Sequence, residues 1–516
     1  MLRAVVGTFL DSLSEREFDA PLLALLAAQG FTDIHFVHGS FEFGKDVIAK
    51  RADGDGQEVR QYSIQSKAGN IGQADWRSIR PQLEECEYNT RAHPSFDKNL
   101  PRVAVLVTTG RLKGSAQTDA QEFREACEKR GLADFEVWER TTLLDWLCLD
   151  PSLGLTEIGI QDELIALLGS IGRHEVTEPM LERHSRRWLV GEDDRRRLAR
   201  ASIETSLICH QLQSARRLDL AALAALHLYR ASWDPSTDAD PTYDAPASEA
   251  ALRLFVSYAV GLLDQAEQLL GDRVDLARSV MDIGAVITYP AVCCRLAEIF
   301  SLLALIGSGD VSDRATTAVL TLAAEHPGTS RPPSDQFAAS VVPTVVVLAR
   351  AGQEIAIQYL RKVSAWLLDR YDPVTAGLGL GSLDEDERTQ FERLVAGSTT
   401  ITQLELRNSS YLASVVLDAL WAIDAGDLYD AVRENLAALR VVPCATVAAE
   451  EHAHWRRGGA NVFAHPRVDY ASRADRGVSS PSAKGPRTSL VAVTLGSVCR
   501  SRHDVGAISE LVRPVR

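Results

Sequence analysis

The most constraining feature of this chain is a change of period near residue 150. Before it, short apolar runs of strand length alternate with amphipathic stretches of helical spacing. From Leu153 onward strand signals nearly vanish and long amphipathic stretches take over. Strand side chains repeat every two residues and helical ones every 3.6, so the two parts cannot share one architecture. The first part reads as an α/β domain and the second as packed helices.

Within the first part, residues 12–30 read as a helix. Ser12 or Ser14 can cap it, Glu15, Glu17 and Asp19 suit its first turns, and Gly30 ends it. Residues 31–37, 46–51 and 58–67 read as strands, with Asp53-Gly54-Asp55-Gly56 as a turn. A helix over 74–89, a buried strand over 102–108, a helix over 116–130 closed by Gly131, a strand over 135–138 and a helix over 141–149 follow. Beyond Leu153, helices are expected over 195–214, 218–231, 248–270, 291–305, 315–325, 354–370, 384–396 and 410–439. Short loops separate them, which suggests an antiparallel helical array or solenoid, and no fixed repeat period can be aligned. Residues 451–516 carry eleven Lys/Arg against five Asp/Glu among Gly, Ser and Pro. That composition reads as a basic, mostly irregular tail, in which 488–494 suits a strand. The expected domains are thus 1–150, 151–447 and 448–516.

The net charge of −15 argues against a sequence-independent nucleic-acid binder. Contact with a polyanion would have to come from a local basic patch, a bound metal or a partner. The eight cysteines form no CxxC pair, as free thiols in a reducing cytoplasm would not. The N-terminal apolar run is broken by Asp11 and makes a poor signal peptide. The stretch 341–349 is too short to cross a bilayer, and Arg295 and Glu298 interrupt the other candidate. A soluble, cytoplasmic protein without a membrane partner is expected. No GxxxxGK[ST], GxSxG or HExxH pattern is present.

The chemistry concentrates in Gly44-Lys45-Asp46-Val47-Ile48-Ala49 and in Ile64-Gln65-Ser66-Lys67. Gln65 and Lys67, two apart on a strand, share a face, and a hairpin can bring that face to Asp46. One carboxylate, one amide oxygen and one ammonium suit a hard divalent cation beside a group that positions or deprotonates water, the equipment for phosphodiester hydrolysis. Read alone, Asp46 also suits the start of a strand, Lys67 a solvated edge, and Asp19 a surface acid near a helix N-terminus. His38, Ser40 and Glu42 precede the site on a loop. Arg183, Arg186, Arg187, Arg195, Arg196, Arg197 and Arg200 suit either a phosphate-tracking patch or, the better reading, ion pairs with acids such as Glu192, Asp193 and Asp194.

Taken together, residues 15–148 resemble the Mrr-like branch of the PD-(D/E)xK restriction-endonuclease superfamily. Phe18-Asp19, Leu22, Leu26 and Gly30-Phe31 resemble its first helix, and Glu42-Phe43-Gly44-Lys45-Asp46-Val47-Ile48 its acid-x-Gly-x-Asp segment. Gln65-Ser66-Lys67 is similar to its Gln-x-Lys, residues 105–109 with Ala116 and Ala120 to its later strand, Thr-Thr and helix, and residues 141–147 to its closing helix. The resemblance implies a restriction-endonuclease-like fold followed by a large all-α domain. It implies Mg²⁺, with Mn²⁺ as a substitute, held by Asp46, the Gln65 side chain and the Ser66 carbonyl. Lys67 would orient or activate water, and Asp19 would reach in from the first helix. Two departures stand out: Asp19 is one methylene shorter than the family's Glu, and Gln65 is neutral. The implied activity is metal-dependent DNA cleavage in a restriction or anti-phage setting. The helical domain would control it through self-association or a partner protein. A catalytically silent DNA- or partner-binding module on a helical scaffold is the alternative.

Overall fold

The computed structural model describes residues 2–37, 45–52, 58–89, 93–149, 158–189, 194–233, 246–271, 276–277, 285–375, 377–382, 385, 387–395, 406–444, 468–476 and 488–513. Helix α1 (Leu2–Ser12) comes first, from a stretch whose sequence gave no element. Helix α2 (Glu15–Ala28) starts at Ser14, whose N–H and hydroxyl both donate to the Glu17 carboxylate, at 2.9 and 2.7 Å. This reciprocal cap satisfies donors that a helix start leaves open.

Five strands form one sheet in the order β1 (Thr32–Phe36), β2 (Val47–Ala52), β3 (Val59–Lys67), β4 (Arg102–Thr108), β5 (Asp134–Trp138). β1, β2 and β3 pair antiparallel, while β3, β4 and β5 run parallel. Parallel neighbours need crossovers, supplied by α3 (Gln73–Tyr88) and α4 (Ser115–Arg130). Residues 103–108 of β4 are all buried, the mark of a central strand covered on both faces. One core joins Ala104 and Leu106 of β4 with Trp76, Ile79 and Leu83 of α3 and Ala116, Ala120 and Phe123 of α4. α5 (Arg140–Leu149) closes this layer, and the strand and helix order expected over residues 30–148 is the one found.

After residue 150 the chain is helical, as the loss of strand periodicity required. Compactness divides it elsewhere than composition does. One unit comprises residues 1–232 with 242–254, the other 233–241 with 255–516. In the first unit, α6 (Ile158–Gly172), α7 (Glu178–Ser185), α8 (Asp194–Ser214) and α9 (Leu218–Ser232) pack together, and α8 lies along α2. The expected boundary at 150 marks a change of period, whereas the α2 contact joins these helices to the sheet's unit. Helix α10 (Pro246–Leu270) begins with residues of this unit.

The second unit holds α11 (Ala285–Ile306), α12 (Asp310–Glu325), α13 (Ala338–Ala351), α14 (Gln353–Tyr371), α15 (Glu387–Val395), α16 (Tyr411–Ala422), α17 (Gly426–Ala438), α18 (Ser489–Cys499) and α19 (Val505–Val512). β6 (Ser409–Ser410) and β7 (Val442–Pro443) pair for two residues. Thr288–Ile306 is long and apolar enough to cross a membrane, yet most of it is buried within the protein, with Glu298 and Arg295 paired to each other. Two expectations are corrected. The helix over 410–439 is two helices, because Asp424 takes a left-handed φ of 58° and the chain turns before Gly426. The strand over 488–494 is part of the buried helix α18, so this part of the tail belongs to the core. Residues 451–467 and 477–487 lie outside the described residues.

Candidate active site

The register Val47↔Ile64 brings Asp46, one residue before β2, alongside the end of β3. Its backbone N–H donates to the Ile64 carbonyl and its carbonyl accepts from Val37 N–H, both at 2.9 Å. The main chain is thereby fixed on both sides, and the carboxylate is aimed along β3. Asp46 Oδ2 accepts from Gln65 Nε2 and from the Ser66 backbone N–H, each at 2.7 Å. Hydrogen bonds to an ionised carboxylate are among the stronger ones, so this contact locks Asp46 to the Gln65-Ser66 pair.

Lys67 follows on the face of Gln65, but its ammonium goes elsewhere. Nζ donates to Glu15 Oε1 at 2.8 Å, with Lys67 mostly shielded and Glu15 half exposed. Glu15 opens α2, and Asp19, one turn later, lies on the same helical face. The Asp19 carboxyl is raised to about 6, chiefly by burial, with Arg253 and Arg16 pulling it down and Asp46 and Glu15 pushing it up. The three carboxylates therefore share one electrostatic neighbourhood, with Lys67 tied to one of them. Asp46, Gln65, Ser66, Lys67 and Asp19 are thus brought to one place, and Glu15 joins them. From sequence Glu15 reads only as an acid suited to the helix start. Its spacing of four from Asp19 was the available signal.

Lys45, beside Asp46, is a second residue that sequence reasoning left without a role. It is buried, its ammonium reaches the Glu85 carbonyl at 3.4 Å and the Phe96 ring at 5.9 Å, and burial pulls its pKa down. Thr108 and Thr109 are structural. Thr108 Oγ1 donates to the Gly69 carbonyl at 2.6 Å, and Gly69 N–H donates to Thr109 Oγ1 at 2.8 Å. These bonds pin the chain just beyond Lys67. His38, Ser40 and Glu42 lie outside the described residues.

Among the described residues, arginines of the cluster form ion pairs, while Glu192, Asp193 and the Asp194 side chain lie outside the described residues. Arg186 pairs with Glu182, and Arg187 with Glu163 and Glu204. Glu204 is fully buried; burial alone would raise its pKa, yet His184, Arg187 and Trp188 hold it below the usual range. Side chains of Arg195 and Arg196 lie outside the described residues. The eight cysteines are buried and unpaired with one another, and burial pushes Cys86 up to about 12 and Cys127 to about 11. Such thiols are poor nucleophiles.

Among the described residues no group of three His, Cys, Asp or Glu side chains gathers as a metal cluster. The donors at Asp46 still fit Mg²⁺, which takes one or two carboxylates and completes its shell with water or phosphate oxygens. Residues 10–147 match the family model of the Mrr catalytic domain, described as a restriction endonuclease. No curated protein and no solved structure matches the chain. The N-terminal segment is thus an Mrr-like restriction-endonuclease domain.

Proposed function

With residues 10–147 a restriction-endonuclease domain, we propose that this protein is a metal-dependent endonuclease that hydrolyses phosphodiester bonds in DNA. The observation that carries this reading is the Asp46 carboxylate bonded to Gln65 and Ser66, with Lys67 two residues on and Asp19 in its field. Asp46, the Gln65 side chain and the Ser66 carbonyl would hold Mg²⁺, or Mn²⁺ in its place. The cation, when bound, would lower the pKa of a water and offset phosphate charge. Gln65 donates its N–H to Asp46; its oxygen is the atom suited to a cation. Glu15 holds the Lys67 ammonium fixed in direction. From there Lys67 orients the attacking water and stabilises charge developing on the phosphate. The setting would be restriction or anti-phage defence in the cytoplasm. The helical region would govern firing through self-association or a partner protein, since uncontrolled cutting harms the host.

The test is plasmid cleavage with Mg²⁺ by wild type, Asp46→Ala and Lys67→Ala. Loss of a metal ligand or of the water-positioning group should lower the rate by about 10²-fold or more. Equal rates in all three would remove the assignment. One observation favours a second reading, a module that binds DNA without cutting it: Lys67 is engaged by Glu15 at 2.8 Å. That reading predicts DNA binding by wild type and no metal-dependent product.

A further inference from the structure

The second unit carries a patch of positive charge that its own acids only partly offset. On α14, Arg361 and Lys362 are exposed and Trp366 is half-buried. The Trp366 indole is fixed at its edge, where Nε1 donates to the Pro332 carbonyl at 2.9 Å. Two guanidiniums lie over this one ring. Arg370, one turn on, is 4.5 Å from the centroid, and Arg331, from the segment before α13, is 5.8 Å from it. Lys362 is one turn before Trp366 on the same helical face, and its ammonium donates to the Ala323 carbonyl at 3.3 Å. Asp369 pairs with Arg370, and the exposed Glu325 ends α12 two residues beyond Ala323. Arg331 is exposed, and among the described residues no acid pairs with it. Arg331, Arg361, Lys362 and Arg370 thus stand against Asp369 and Glu325, in a chain whose net charge is −15.

We propose that this patch is a DNA contact of the helical unit, outside the nuclease domain. Arg331 grips a backbone phosphate, and Arg361, Lys362 and Arg370 supply the field around it. The proposal rests on the nuclease reading above for the identity of its ligand. Charge selects a polyanion: like charges gathered at one ring repel, and an anion brought among them relieves that repulsion. The nuclease domain offers little grip of its own, since residues 1–150 carry 18 Lys/Arg against 24 Asp/Glu. A guanidinium held over an indole by its charge still has N–H groups from which a phosphate can accept two at once. Its planar fork is ordered in advance by the ring, so less freedom is lost when phosphate binds. Such a contact adds affinity without reading sequence.

The experiment uses the full-length protein as wild type, Arg331→Gln and Arg331→Lys. The control is Arg314→Gln, at a surface arginine of the same unit already paired with Asp264 and Glu267. Binding to two labelled duplexes of unrelated sequence is measured by anisotropy in Ca²⁺ across a salt series, and plasmid cleavage is measured in Mg²⁺. Arg331→Gln should weaken both complexes alike, by about 5–10-fold at 0.1 M salt, and the slope of log Kobs against log[salt] should shrink by about one. Arg331→Lys should keep the slope, because the charge stays. Arg314→Gln should bind as wild type does. Wild-type affinity and slope in Arg331→Gln would overturn the proposal. So would equal losses in Arg331→Gln and Arg314→Gln, the sign of a general charge effect, and a slope lost in Arg331→Lys as well, the sign of a structural role. Wild type that cuts DNA while Arg331→Gln binds as tightly removes this proposal alone. Binding that depends on Arg331 without any metal-dependent product removes the nuclease reading alone. Wild type that neither binds nor cuts DNA removes both, and leaves the patch to an acidic protein partner.

Discussion

Asp19 carries the clearest consequence at the scale of a residue. Its carboxyl is raised to about 6 from an ordinary value of 3.8, first by burial and then by Asp46 and Glu15. Between those values the folded protein holds a proton that the unfolded chain has lost, so stability falls as pH rises from about 4 to about 6. Above that window the penalty is fully present. Asp19→Asn should therefore be more stable than wild type at pH 7.5 in EDTA, by about 1–3 kcal/mol, and no more stable at pH 4. Thermal melts at both pH values check this; an equal gain at both would mean that charge is not the cause. The same residues show what was legible. Asp46, Gln65 and Lys67 could be grouped from sequence because strand alternation fixes their faces over short range. The Lys67–Glu15 pair joins residues 52 apart, and nothing local announces it. Glu15 looked sufficient as a helix-start acid.

At the scale of the element, the end of β3 decides where Lys67 stands, and a loop-to-loop contact decides where β3 ends. Gly110 follows the Thr108-Thr109 pair, and a Cβ there would run into the Gly69 carbonyl and the Asn70 nitrogen. Backbone is the obstacle, so the two loops must separate to admit a side chain. Gly110→Ala should cost roughly 2–3 kcal/mol, as forced overpacking does, and should lower cleavage along with stability. Denaturant melts and the plasmid assay measure the two effects; an unchanged midpoint would mean that the loops part freely. The sequence already suggested β4, whose apolar run marks a strand covered on both sides. It misled at 488–494, where Val491-Ala492-Val493 lies in a helical run that is buried through to Cys499. A segment apolar all round has no period to distinguish helix from strand. It misled again at Asp424, where one left-handed residue divides a helix without any proline.

At the scale of the whole molecule, the C-terminal stretch changes from appendage to support of the second unit. α18 packs on α11 and α13, and α19 on α13 and α16. Arg500, just past α18, and Arg295 each donate to Glu298 Oε2 at 2.9 Å, and Ser340 Oγ donates to the same atom at 2.8 Å. His503 Nε2 lies 2.8 Å from Asp418 Oδ2 while its Nδ1 lies 2.9 Å from the Tyr411 hydroxyl, and Arg476 pairs with Asp418 as well. The basic excess of residues 451–516 is thus partly spent on buried acids of the helical unit, which is why composition alone suggested a free tail. Arg295 and Ser340 still serve Glu298 when Arg500 is removed, so Arg500→Ala should cost about 1–3 kcal/mol, less than the loss of a sole partner. Deleting residues 488–516 removes that arginine, His503 and the apolar faces of α18 and α19 together. The full-length protein cut back to residue 487 should melt at a lower temperature than Arg500→Ala, or fail to stay in solution. Differential scanning calorimetry of both variants beside wild type decides the matter. A truncated chain with the wild-type transition would mean that this segment hangs from the helical unit instead of completing its core.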